Sequence, residues 1–153
     1  IANVVNTLDM SSTAVIQYAV EHLNVKHIVV CGHYDCGGVK AAMQAKDYGL
    51  LNPWLRTIRD VYRLHQQELD AIADADERYR RFVEINVIEK CSHVTKTLDV
   101  HDSNLQYRTP LVHGWVFDIH SGELIDLNID FEDFIQKIQR IYDLTGEDWY
   151  KHY

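Results

Sequence analysis

The sequence predicts an α/β fold with a mostly parallel β-sheet, an antiparallel edge strand and flanking helices. Helical and strand-like segments alternate along the chain, which favours this class. One strand signal, His27–Val30, is a continuous and largely β-branched run that leads into a turn and a new helix. A hairpin signal nearer the carboxyl end predicts the antiparallel strand. With 153 residues, 46% of them hydrophobic, the whole span 1–153 is expected to form one domain.

The first third of the chain predicts a helix, a strand and a second helix. The first helix begins at Ser11 or Ser12, either of which can cap it, and its apolar positions continue to Leu23. The strand is expected over 26–31, buried on both faces as in a parallel sheet. The next helix starts near Val39, so the intervening turn lies where a strand's carboxyl end meets a helix.

The remaining elements follow from apolar periodicity and turn residues. Pro53 suits the first turn of a helix. The segment His101–Asn104 reads as a loop, and His120–Gly122 as a turn joining two hairpin strands. The predicted ranges are helix 54–69, linking turn 71–77, helix 77–98, strand 110–118, strand 123–127 and helix 131–144.

Composition and charge restrict the function classes. The chain carries 15 Lys and Arg against 23 Asp and Glu, a net charge of −8 that argues against nucleic-acid binding. No apolar run approaches the roughly 20 residues that cross a bilayer, and no signal peptide is visible. The three cysteines are an odd number and widely spaced, which is typical of a reducing compartment. We therefore expect no membrane or nucleic-acid partner and a cytoplasmic location, with an organelle as the alternative.

The turn after the strand carries the strongest chemical signal. His33 and Cys36 are three positions apart, and both residue types bind zinc. Gly37 and Gly38 follow at once, and without a Cβ they let the backbone approach that point closely. A tetrahedral zinc site needs more protein ligands than these two, so the motif predicts a zinc site of which this turn supplies only a part.

The other candidates near this motif have simpler interpretations. Cys31 lies inside the apolar run and is expected to pack within the sheet, while Cys91 is expected to lie in a helix core. Asp35 is expected to be a solvated turn residue, and His113 a hydrogen-bonded structural histidine. Tyr18 fits the apolar face of an amphipathic helix.

Several segments together resemble the β-class carbonic anhydrases, and the resemblance covers almost the whole chain in the family's order. Embedded among the other segments, the His-x-x-Cys motif becomes a specific signal. The matching segments are Asn3, Gln17–Leu23, Val25–His33, Cys36–Ala42, Trp54–Asp60, Glu84–Val87 and His113–Asp118.

The resemblance implies reversible hydration of carbon dioxide to bicarbonate on a zinc ion. The family holds its metal with two cysteines and one histidine, and His33 and Cys36 match two of those three ligands. The third comes from an upstream Cys-x-Asp-x-Arg segment, which this sequence does not contain, so we expect the domain to be incomplete at its amino end. The family's Asp–Arg pair therefore has no counterpart here, and no catalytic residue is assigned.

The resemblance also implies substrate contacts and an assembly. Tyr18 matches a position that lines the substrate pocket, and the amides of Gly37 and Gly38 match those that meet the bound anion. Family members form homodimers or larger homo-oligomers. Two other functions stay open: a non-catalytic, shortened paralogue that serves as an assembly module, and a related hydrolase acting on carbonyl sulfide.

Overall fold

The computed structural model describes residues 9–139, and its order of elements confirms the α/β class. Helices flank three short strands, and a 3-10 helix at Gly49–Leu51 precedes the third α-helix. The helices are α1 Met10–Glu21, α2 Gly37–Ala42, α3 Asn52–Leu64, α4 Gln66–Asp70, α5 Ala75–Thr95, α6 Leu98–Tyr107 and α7 Phe131–Gln139; the strands are β1 His27–His33, β2 Leu111–Phe117 and β3 Leu124–Asp126.

The sheet has the order β1-β2-β3 and contains both predicted kinds of pairing. At one end of β2, the Leu111 N–H donates to the Lys26 carbonyl over 3.0 Å. At the other end, the Tyr34 N–H donates to the Phe117 carbonyl over 3.0 Å, so β1 and β2 run in the same direction. Strand β3 pairs antiparallel with β2, with Phe117 opposite Leu124. The hairpin is therefore confirmed as the antiparallel edge.

The described residues divide into two compact units. The first contains residues 9–30, 90–113 and 128–139, and within it α1 packs against α6. The second contains residues 31–89 and 114–127, and within it α2 packs against α3. The core of the first unit includes Ile16, Val20, Val94, Val100 and Val112, and that of the second includes Leu55, Ile58, Leu69, Phe82, Val83 and Val116.

The residue that caps the start of α1 is not the one predicted. Asp9, not Ser11 or Ser12, is the N-cap, and its carboxylate accepts hydrogen bonds from the backbone N–H groups of both serines. A carboxylate in this position satisfies N–H groups that have no partner within the helix. These bonds hold the pKa of the Asp9 carboxyl below its usual value, with the Ser12 hydroxyl making the largest contribution.

The helix predicted over 54–69 was wrong in detail. The single helix expected over 54–69 is two helices, because the chain leaves helical geometry at His65, where φ is −109° and ψ is 19°. The His65 ring lies 2.9 Å from a carboxylate oxygen of Glu89 on α5, a contact that sequence periodicity does not reveal. Pro53 does lie in the first turn of α3, as expected.

The expected loop at 101–104 is the middle of α6. His101 and Asn104 are buried, and the Asn104 side chain donates a hydrogen bond to the Pro110 carbonyl over 3.2 Å. The polar residue types suggested a loop, but tertiary packing and side-chain hydrogen bonds outweigh intrinsic propensity here. The part of the predicted final helix after Gln139 lies outside the described residues.

Strand β1 is covered on one face only, in contrast to the prediction that both faces are buried. Within the described chain, Val30 is buried and its neighbours Val29 and Cys31 are exposed. A strand that is apolar on both faces is typical of a sheet covered on both sides, but in the described residues only one face of β1 is covered.

None of the described helices is both long and apolar enough to cross a membrane.

Candidate zinc-ligand turn

The predicted ligands flank the junction between β1 and α2. His33 is the last residue of the strand, and Cys36 is the N-cap residue of α2. Gly37 and Gly38 are the first two residues of that helix, whose first-turn N–H groups have no partner further along the helix. The motif therefore lies at the carboxyl end of a parallel strand, the position where α/β sheets usually bind ligands.

The hydrogen bond made by His33 decides which of its ring nitrogens can bind a metal. Its Nδ1 lies 2.8 Å from the carbonyl oxygen of Tyr34. Because a carbonyl oxygen only accepts, Nδ1 carries the proton and the lone pair of the neutral ring is on Nε2. Histidines that bind metals commonly donate their second N–H to a backbone carbonyl in this way.

Tyr34 anchors the turn, because its side chain packs in the core of the second unit. Its side chain is buried, and its hydroxyl donates to Glu84 on α5 over 2.8 Å. The guanidinium of Arg80 lies over the Tyr34 ring, 3.7 Å from its centre. Burial, and then the carboxylate of Glu84, raise the pKa of Tyr34 to about 12, so the phenol stays protonated at neutral pH. The residue next to His33 is thus an anchored core residue.

The backbone and side chain of Cys36 are also closely surrounded. The Tyr79 hydroxyl donates to the Cys36 carbonyl over 3.3 Å. A Cβ on Gly38 would lie 2.9 Å from the Trp54 ring and 3.8 Å from the Cys36 sulfur, which explains why glycine suits this position. Burial raises the pKa of Tyr79 to about 12. Cys36 is half-buried, so its sulfur is neither enclosed in the core nor fully open.

Asp35 is an exposed turn residue, as expected, and it also has two side-chain partners. Its carboxylate accepts from the Lys40 ammonium over 2.6 Å and from the His120 ring over 2.5 Å. The hydrogen bonds from Lys40 and then His120 hold the pKa of this carboxyl below its usual value. The sequence offered no signal for the contact with His120, since the two residues are 85 positions apart.

The predicted substrate residue Tyr18 lies in the first unit, on α1. Its side chain is 57% exposed, and its ring lies 5.0 Å from that of His22 between centres. The alternative that Tyr18 is a core aromatic of α1 is therefore wrong, and its substrate role stays a prediction. A cleft of about 450 Å³ in the second unit is lined by Ala42, Met43, Gln44, Ala45, Lys46 and Arg59, and so contains none of the predicted site residues.

The predictions for Cys31, Cys91 and His113 can also be compared with the structure. Cys91 is buried as expected, and burial raises the pKa of its thiol to about 12. Cys31 is exposed on β1, so the prediction that it packs within the sheet was wrong. His113 is hydrogen-bonded as expected, with its Nε2 3.0 Å from Nδ1 of His27.

The donor set at the turn fits zinc in part. In its neutral form His33 offers the lone pair of Nε2, and Cys36 offers a sulfur; these are two of the donor types that zinc prefers. Over residues 9–139, however, no three or more His, Cys, Asp and Glu side chains form a group that could hold a metal ion.

The fold and the turn define an α/β protein with a histidine and a cysteine three positions apart at the end of a parallel strand. Comparison with known proteins identifies the class more closely, because residues 1–124 match the carbonic anhydrase family model. The chain is 62% identical over 145 residues to a carbonic anhydrase of Emericella nidulans, a match covering 95% of this chain and 64% of the relative. The chain belongs to the β-carbonic anhydrase family.

Solved structures support the same assignment. The β-carbonic anhydrase CafA of Aspergillus fumigatus matches with a TM-score of 0.80 and 38% identity, over 91% of this chain and 66% of that one. A chain from the two tetrameric β-carbonic anhydrases of Sordaria macrospora matches with a TM-score of 0.76 and 38% identity, over 82% of this chain and 64% of that one. The chain thus spans about two thirds of the length of these relatives.

Proposed function

We propose that the chain forms part of a zinc-dependent enzyme that interconverts carbon dioxide and bicarbonate, with His33 and Cys36 as two of the metal ligands. The observation that carries the proposal is the bond from His33 Nδ1 to the Tyr34 carbonyl, which leaves Nε2 as a ligand three residues from a half-buried thiol. The family membership supplies the reaction. The third protein ligand is proposed to come from outside residues 9–139, among which no group of three or more His, Cys, Asp and Glu side chains could hold a metal ion.

Each side chain at the turn has a distinct part in this proposal. When bound, zinc supplies the positive charge that lowers the pKa of water towards about 7. His33 and Cys36 hold the ion, and the first-turn N–H groups of Gly37 and Gly38 are available to a bicarbonate oxygen. Tyr34 and Tyr79 keep the backbone of the turn in place. Tyr18 is proposed to line the substrate pocket on the family resemblance.

The proposal is tested by metal content and carbon dioxide hydration. Two proteins are compared: the chain 1–153, and a chimera joining it to those parts of the Emericella nidulans relative that lie outside the match. We expect the chimera to contain one zinc per chain and to accelerate hydration, measured by stopped-flow with a pH indicator. A well-folded chimera without zinc would overturn the proposal and favour the non-catalytic module. Zinc with turnover of carbonyl sulfide but not carbon dioxide would favour the related hydrolase.

We also propose that the chain assembles as a homodimer or a larger homo-oligomer. Helix α1 exposes large apolar side chains, among them Met10 at 85% and Val15 at 52%. Exposed apolar patches of this kind mark interaction sites, and the Sordaria macrospora proteins are described as tetrameric. Light scattering coupled to size-exclusion chromatography is expected to give at least twice the 17.8 kDa mass of the chain. A monomer at micromolar concentration would contradict this proposal.

A further inference from the structure

Asp35 lies between His33 and Cys36 in the turn 33–36, called the ligand turn below. Both oxygens of its carboxylate accept hydrogen bonds. One carboxylate oxygen accepts from Lys40 on α2 and the other from His120 in the hairpin turn between β2 and β3. Because an ionised carboxylate only accepts, His120 contributes its Nε2–H to this bond. One short side chain therefore connects the ligand turn to two separate elements of the second unit.

The backbone of Asp35 gives this residue a second constraint. Its φ is 56°, in the left-handed region, where residues other than glycine are uncommon and Asp and Asn are among the best tolerated. This conformation allows the chain to reverse between the end of β1 at His33 and the start of α2 after Cys36. The residue type at position 35 thus affects both the path of the turn and its attachment.

Both partners of Asp35 make at least one further contact each. The Lys40 ammonium lies 5.1 Å from the centre of the Tyr79 ring, and the Tyr79 hydroxyl binds the Cys36 carbonyl. The backbone N–H of His120 donates to Asp118 over 2.9 Å. The side chains of Lys40 and His120 are exposed, so these two contacts restrain the turn at the protein surface.

We propose that Asp35 is a positioning residue that holds His33 and Cys36 at the separation needed to bind one metal ion. The inference rests on the proposed zinc site, and adds that the carboxylate at position 35 is required for its full affinity. Asp35 is not itself a ligand in this proposal, because its two carboxylate oxygens are engaged by Lys40 and His120.

The test compares four variants of the zinc-loaded chimera in competition with a chromophoric chelator. Asp35→Gly removes both contacts but tolerates the positive φ, whereas Asp35→Asn tolerates it and keeps one acceptor oxygen. His120→Ala removes one contact only. Asp133→Asn is the matched control, because it removes a carboxylate that lies 2.6 Å from Lys137 on α7 and has no contact with Asp35, Lys40 or His120.

We expect Asp35→Gly to weaken zinc binding about tenfold, and Asp35→Asn and His120→Ala about threefold each, as for partly exposed ion pairs. Asp133→Asn should leave the affinity unchanged. Loaded with Co²⁺, Asp35→Gly should also show a weaker thiolate-to-metal charge-transfer band, while its melting temperature without metal stays within about 2 °C of the parent. A purely structural role would lower the melting temperature and leave the Co²⁺ spectrum unchanged.

The outcomes separate this inference from the proposed function. A parent protein that binds no zinc would overturn both. A parent that binds zinc tightly, with Asp35→Gly binding it equally well, would overturn only the positioning role. The graded loss described above, with rescue in Asp35→Asn relative to Asp35→Gly, would support both.

Discussion

Replacement of Cys36 by serine is expected to lower the zinc affinity of the chimera by more than 100-fold and to abolish carbon dioxide hydration. Changes to residues that only orient a ligand commonly cost 10- to 100-fold in metal affinity, so loss of a ligand should cost more. Serine is close in size to cysteine but offers no thiolate. The affinity is measured by competition with a chromophoric chelator, and His33→Ala is expected to have a similar effect.

The chain provides a matched control for this substitution. Cys31 is exposed on β1, the strand that ends at His33. Unlike Cys36, it lies outside the turn. Cys31→Ser should retain one zinc per chain and full activity. If Cys31→Ser loses the metal while Cys36→Ser keeps it, the ligand assignment is incorrect.

Replacement of Gly32 by alanine is expected to destabilise the protein by about 1–3 kcal/mol, the usual cost of adding a methyl group to a well-packed core. A Cβ on Gly32 would lie 2.5 Å from Cγ2 of Val87, which is buried on α5. Strand β1 cannot move away from α5 to make room for the methyl group without also moving His33, which follows Gly32 in β1. Urea unfolding followed by circular dichroism measures the change in the free energy of unfolding.

Two further variants test the physical reason. Gly37→Ala should leave the stability nearly unchanged, because a Cβ there would contact nothing within 4 Å. The double variant Gly32→Ala with Val87→Ala should lose less stability than the sum of the two single variants, because the shortened side chain removes the atom that the new methyl group meets. Destabilisation of the same size in Gly37→Ala would show that contact with Val87 is not the cause.

The sequence predicted most elements because their signals are local. Apolar periodicity located α1, α5 and the hairpin strands, and Pro53 marked the start of α3. The His-x-x-Cys motif was also placed correctly at a strand-to-helix junction, since a β-branched run and two glycines flank it directly. These features depend on residues within one or two turns of each other.

The errors have a shared origin in contacts between distant residues. The break between α3 and α4 lies at His65, which contacts Glu89. Helix α6 replaced a predicted loop because His101 and Asn104 are buried. The exposure of Cys31 depends on which other elements pack against β1, and the residues of the strand alone do not indicate this. In each case local propensity was a weaker influence than tertiary packing.

By itself, the sequence determined the α/β class, the family resemblance and the two candidate ligands, because residue type and spacing carry that information. Only the tertiary structure decided how the ligand turn is held. The contact of Asp35 with His120 joins residues 85 positions apart, and that of Tyr34 with Glu84 joins residues 50 positions apart. Such contacts form when separate elements pack together, so no local pattern announces them.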